Sequence, residues 1–129
     1  MPIENNDLFS IKNIAHEDGI ILAVLNINQN SEILKGHFPG QPVIPGACML
    51  QVLKEVLEDA LKVSTLLKRA DNLKFMRIIN PENTKTVLLD IVYKIGSDTI
   101  GVSAKLSTDE MICFKFQGSF IKNPEPKSF

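Results

Sequence analysis

Apolar positions recur along this chain with two different periods. Ile20–Ile27 (IILAVLNI) is apolar at nearly every position and rich in β-branched residues. That pattern predicts a well-buried strand rather than a helix. Leu8–Ala15 predicts a shorter strand before it, with Gly19 at the intervening turn. The period then changes. From Ala47 to Lys62, Met49, Leu50, Val52, Leu53, Val56, Leu57, Ala60 and Leu61 cover well over half the circumference of a helix. Only Gln51, Lys54, Glu55 and Glu58 form a narrow polar stripe, and a helix of this kind is expected to be enclosed by other elements. Strand-like segments return at Ala70–Ile79, Thr84–Ile95, Thr99–Leu106 and Glu110–Ile121. Turn signals separate them at Asn80-Pro81-Glu82-Asn83, Gly96-Ser97-Asp98 and Ser107-Thr108-Asp109. Lys122–Phe129, with Pro124 and Pro126, reads as a frayed tail.

The order is two strands, one helix, then three or four antiparallel strands. It predicts an α+β fold, a long curved antiparallel sheet wrapped around one central helix. The 129 residues fit a single domain spanning 1–129, and no repeat or linker divides them. Composition narrows the class without naming a task. A hydrophobic share of 44% with 22% charged residues argues against disorder. A net charge of −1 leaves no electrostatic footprint for nucleic acid or an anionic membrane. No apolar run is long enough to span a bilayer, and the amino end reads as neither a signal nor a transit peptide. Cys48 and Cys113 are too few for a disulfide framework, and no Cys-x-x-Cys pair suggests a metal. These features predict a cytoplasmic protein with no metal site.

Chemistry concentrates between the second strand and the helix. Gly36–Gly46 reads GHFPGQPVIPG, with three prolines and three glycines in eleven residues. Proline fixes φ and removes an amide donor, so the segment is neither helix nor central strand. It is expected to be a stiff loop running into the helix amino terminus at Gly46. First-turn N–H groups lack intrahelical partners and carry partial positive charge. Gly46 has no side chain to block approach, so its N–H and that of Ala47 are suited to polarise a carbonyl oxygen. His37 supplies a side chain readily poised as a base near neutral pH. Base and oxyanion-type donors together match proton abstraction beside a thioester carbonyl.

The segment from His37 to Gly46 closely resembles the active-site signature of hot-dog-fold 3-hydroxyacyl-(acyl carrier protein) dehydratases of fatty acid synthesis. Every fixed position of His-Phe-Pro-Gly-x-Pro-φ-φ-Pro-Gly, with φ apolar, is matched. Leu73-Lys74-Phe75-Met76-Arg77 with Pro81 resembles the family's strand after the helix. The resemblance implies that His37 removes the C2 proton, that the Gly46 amide holds the thioester carbonyl, and that the Val43 carbonyl orients the imidazole. Phe38 and Ala47 belong to the same substrate-binding stretch. It further implies an acyl carrier protein or acyl-CoA thioester as substrate, with a phosphopantetheine arm and no other cofactor. A homodimer or larger hot-dog oligomer is expected, or a heterodimer with a second hot-dog subunit.

One position departs from the pattern. The family's second catalytic residue is a Glu or Asp fourteen positions after the histidine, and here that position is Gln51. Glutamine exchanges hydrogen bonds but cannot deliver a proton to a leaving hydroxide. Three routes remain open: a water held by Gln51, Glu55 one turn further along the polar stripe, or a partner subunit with the complete dyad. The departure also keeps open a non-catalytic thioester-binding subunit, whereas a thioesterase, which the fold also serves, ranks last because such enzymes usually rely on a carboxylate and none stands at position 51.

The remaining candidates have plainer readings. Cys48, in the first helical turn, is expected to pack rather than attack. His16, between Glu17 and Asp18, reads as solvated. Met49, Met76 and Met111 read as core or acyl-channel filler, and Phe75, Phe114 and Phe116 as core.

Overall fold

A computed structural model describes residues 8–36, 43–109 and 111–124. The expected strands form six. They are β1 (Phe9–Glu17), β2 (Ile20–Ile27), β3 (Thr65–Phe75), β4 (Thr86–Ile95), β5 (Ile100–Thr108) and β6 (Met111–Lys122). They build one antiparallel sheet in the order β1-β2-β4-β5-β6-β3. The predicted helix is α2 (Gly46–Leu61), and a five-residue helix, α1 (Glu32–Gly36), precedes it. A curved antiparallel sheet packed around one long helix is the hot-dog fold.

Register explains the core. Ile21, Ala23 and Leu25 on β2 stand opposite Ile91, Leu89 and Val87 on β4. Leu89 and Ile91 stand opposite Leu106 and Ala104 on β5. Those two meet Phe114 and Phe116 on β6. Directly opposed residues share a face, so these rows make one apolar floor. Cys48, Met49, Val52, Leu53, Val56 and Leu57 of α2 are buried with it. Each fully buried Leu or Val contributes roughly 1.5–3 kcal/mol. Size complementarity runs through the rows, with Ala104 opposite Phe116 and Val102 opposite Gly118. Gly118 is fixed by contact, since a Cβ there would run into the Arg69 carbonyl where β3 bulges.

Several expectations need correction. β2 is buried on one face only, and Ile20 and Leu22 point outward at 46% and 42% exposure. Its outward apolar residues hid the two-residue alternation. β3 starts at Thr65, five residues before the predicted Ala70, and stops at Phe75 rather than Ile79. It is an edge strand with two register shifts and a polar middle, Lys68-Arg69-Ala70-Asp71-Asn72, which masks its periodicity. α1 was not expected. Buried Ser31 caps it, its Oγ accepting from the Ile33 N–H at 3.2 Å. β6 runs through Lys122, paired with Thr65, so that residue is strand and not tail. Residues 125–129 of the expected tail lie outside the described residues.

The two ends of α2 are built differently. At its carboxyl end Lys62 is left-handed, with φ 58°, and its N–H closes on the Glu58 carbonyl. The Glu58 carboxylate accepts from Thr65 N, Thr65 Oγ1 and Lys54 Nζ, which ties the helix to the start of β3. At its amino end the N-cap residue is Pro45, which makes no side-chain cap.

Candidate active site

The amino end of α2 is where the sequence leads chemistry to be expected. Pro45 offers no side-chain acceptor, so the first turn keeps the donor character that helix starts have. The entering chain is anchored just before it. The N–H of buried Ile44 donates to the Ile79 carbonyl at 3.1 Å, and the Cys48 N–H closes on Pro45 O at 3.1 Å. Val43, half-buried, is the residue before this anchor. Gly46 and exposed Ala47 begin α2. His37 and Phe38 lie outside the described residues.

Gly46 is in close contact with an aromatic ring. A Cβ there would stand 2.8 Å from both Cε1 and Cζ of Phe75. The expectation of Phe75 as a core residue is therefore corrected. It is 51% exposed at the end of edge strand β3. Phe114, opposite it on β6, stacks on it at 5.2 Å between centroids and is fully buried. Phe116 is buried as expected. The ring of Phe75 thus flanks the helix start, a role that sequence reasoning missed. Only the pairing of β3 with β6 reveals it, and that pairing joins residues almost forty positions apart.

From Ala47 a line of residues at i+4 spacing runs along α2 through Gln51 to Glu55. Helical side chains four apart share a face and lean toward the amino end. Gln51 Nε2 donates to Glu55 Oε2 at 3.3 Å, with both side chains half-buried. Cys48 is buried three residues before Gln51. Burial first, and the Glu55 charge second, push its thiol up from the ordinary range. This favours the neutral thiol and agrees with a packing role. Met49 is core, whereas Met76 and Met111 are exposed, which corrects the core half of their reading. His16 is exposed as expected, but it shares a 2.6 Å hydrogen bond with the Tyr93 hydroxyl.

Known proteins resemble this chain in sequence and in fold. Residues 13–110 match the family model described as ApeI-like, ApeI dehydratase. The chain is 34% identical over 95 residues to the 3-hydroxyacyl-(acyl carrier protein) dehydratase FabZ of Oenococcus oeni, covering 68% of this chain and 67% of that one. It is 29% identical over 83 residues to the Clostridium acetobutylicum protein of the same name, covering 59% of each chain. Among solved structures it is similar to the dehydratase heterocomplex ApeI:P from Xenorhabdus doucetiae, with TM-score 0.71 and 16% identity over 88% of this chain and 97% of that one.

Proposed function

Because the chain belongs to the ApeI-like dehydratase family, we propose that it is a lyase removing water from a 3-hydroxyacyl thioester carried on acyl carrier protein. The product is the trans-2-enoyl thioester. His37 takes the C2 proton, while the first-turn amides at Gly46 and Ala47 hold the thioester carbonyl as its oxygen gains charge. Phe38 and Val43 complete the binding stretch, and Gln51 orients the departing hydroxyl.

One observation supports this reading above the others. The motif that ends at Gly46 leads into a helix terminus whose N-cap residue, Pro45, makes no side-chain cap, and the glycine there leaves its amide unshielded by any side chain of its own. Donors aimed at a developing oxyanion are commonly worth about 10²–10³ in rate.

Gln51 favours a second reading, in which the chain is the acyl-thioester-binding subunit of a heteromeric dehydratase. The heterocomplex named for the ApeI:P structure lends it support. One experiment separates the two. Purified protein is incubated with 3-hydroxyacyl carrier protein and followed by mass spectrometry for loss of water or of the acyl group. Enoyl product from this chain alone supports the self-sufficient lyase, and its absence refutes it. Activity that appears only with a co-purified hot-dog subunit supports the heteromer. Acyl loss instead of water loss identifies a thioesterase.

A further inference from the structure

We infer that Glu55 supplies the proton that leaves with the hydroxyl, acting through a water that the hydrogen-bonded Gln51–Glu55 pair holds against the substrate; this rests on the dehydratase reading above. The first support is geometric. Position 51 is where the resemblance expects a carboxylic acid, and Gln51 Nε2 sits 3.3 Å from Glu55 Oε2. Residue 55 lies about 6 Å further along the axis, at 1.5 Å per residue. Side chains lean back toward the amino end, so the Glu55 carboxylate comes level with the amide at the expected acid's position.

The second support is elimination along the helix. α2 carries three acids, Glu55, Glu58 and Asp59. Glu58 is committed to Thr65 and Lys54 at the far end of the helix. Asp59 is exposed and lies eight residues beyond Gln51. Of the three, Glu55 is the one next to Gln51 on the Ala47–Gln51 line and hydrogen-bonded to it, and its charge is felt at Cys48, one turn nearer the helix start than Gln51.

The step balances. The C2–H bond breaks, its proton passes to His37, and its electron pair forms the C2=C3 double bond. The C3–O bond breaks as the hydroxyl takes a proton from the bridging water, which takes one from the Glu55 carboxyl. A water molecule is released. The imidazolium proton then returns through solvent to the carboxylate. Glu55 is a positioning and proton-supplying residue here, because it does not touch the substrate.

The test uses the full chain, with its hot-dog partner if one is required, and 3-hydroxyacyl carrier protein. Wild type, Glu55→Gln, Glu55→Asp and the exchange Gln51→Glu with Glu55→Gln are compared. Glu55→Gln is expected to lower kcat by about 10²–10⁴-fold, the usual worth of general acid catalysis, with KM within threefold. Glu55→Asp should retain part of the rate, and the exchange should restore it to within about tenfold. A structural role for Glu55 would not be rescued by moving the carboxylate one turn. Glu55→Gln within fivefold of wild type overturns the proposal and leaves the dehydratase reading intact. So does an exchange variant no faster than Glu55→Gln. A wild type inert in every assembly overturns both.

Discussion

The ring of Phe75 lies against the backbone of Gly46, close enough that a methyl group on the glycine would meet Cε1 and Cζ at 2.8 Å. The contact joins the end of an edge strand to the first residue of the central helix. It also makes Gly46 a sterically determined position, independently of any left-handed backbone.

Gly46→Ala therefore pushes the ring aside. Phe75 is half-exposed and can swing, so the stability cost should sit near the low end of overpacking, about 1 kcal/mol. Activity should suffer more. A shift of about 1 Å in a positioned group can cost on the order of 10²-fold, and kcat/KM for the 3-hydroxyacyl thioester should fall at least ~10-fold. Adding Phe75→Ala should recover part of that loss, because the two residues are coupled through contact. Unchanged kcat/KM in the single variant would show that the ring and the amide are unrelated to turnover.

Much of this arrangement was readable from residue order, for identifiable reasons. α2 announced itself through its apolar girth, and its predicted start at Ala47 missed the true one by a single residue. β2 was placed to the residue at Ile20–Ile27. The proline- and glycine-rich segment leading into Gly46 marked the helix start. What stayed hidden depended on long-range pairing. β3 crosses to the far edge of the sheet beside β6, and no local pattern encodes that choice. The exposure of Phe75, its stacking on Phe114 and its contact with Gly46 all follow from that placement. The Gln51–Glu55 bond was accessible from i+4 spacing, but its direction required coordinates.

Glu58 holds the other end of the helix. Its carboxylate accepts from both donors of Thr65, which is fully buried. Glu58→Ala strips acceptors from an enclosed N–H and hydroxyl, and an unsatisfied buried donor costs about 1–3 kcal/mol. Glu58→Gln keeps an acceptor and should cost less than half as much. Urea denaturation midpoints would rank the three proteins, and equal midpoints for the two variants would contradict the acceptor role.

Cys48 offers a pH-dependent readout of the same helix face. Burial is the larger reason that its thiol is pushed up and Glu55 the smaller, because a nearby negative charge opposes thiolate formation. Iodoacetamide labelling of Cys48, read by peptide mapping, should be slow at neutral pH and should rise only above the ordinary thiol range. Glu55→Gln should speed it at fixed pH while leaving most of the protection, since burial remains. The linkage has a definite sign. A thiol raised by folding favours the folded state below its unfolded pKa, and that contribution is lost as pH climbs through the folded value. Labelling of Cys48 at neutral pH as fast as a free thiol would refute the assignment.

The outer face of the sheet carries an unfavourable row. Lys74 stands opposite Lys115, Lys115 opposite Lys105, and Lys105 opposite Asp90. All three lysines are exposed. Like charges directly opposed across strands are destabilising, and each opposite-charge pair contributes roughly 0.2–1 kcal/mol. Lys115→Glu converts two repulsive pairs into attractive ones and gives the row alternating signs from β3 to β4. Stability should rise by about 0.5–1 kcal/mol at low ionic strength. Most of that gain should vanish near 1 M salt, where the screening length is about 3 Å. Lys94→Glu is the control, because Lys94 faces uncharged Gly101 across the β4–β5 pair. A gain for Lys115→Glu that persists in high salt, or one matched by the control, would mean that net charge or β-propensity is responsible, and not the cross-strand row.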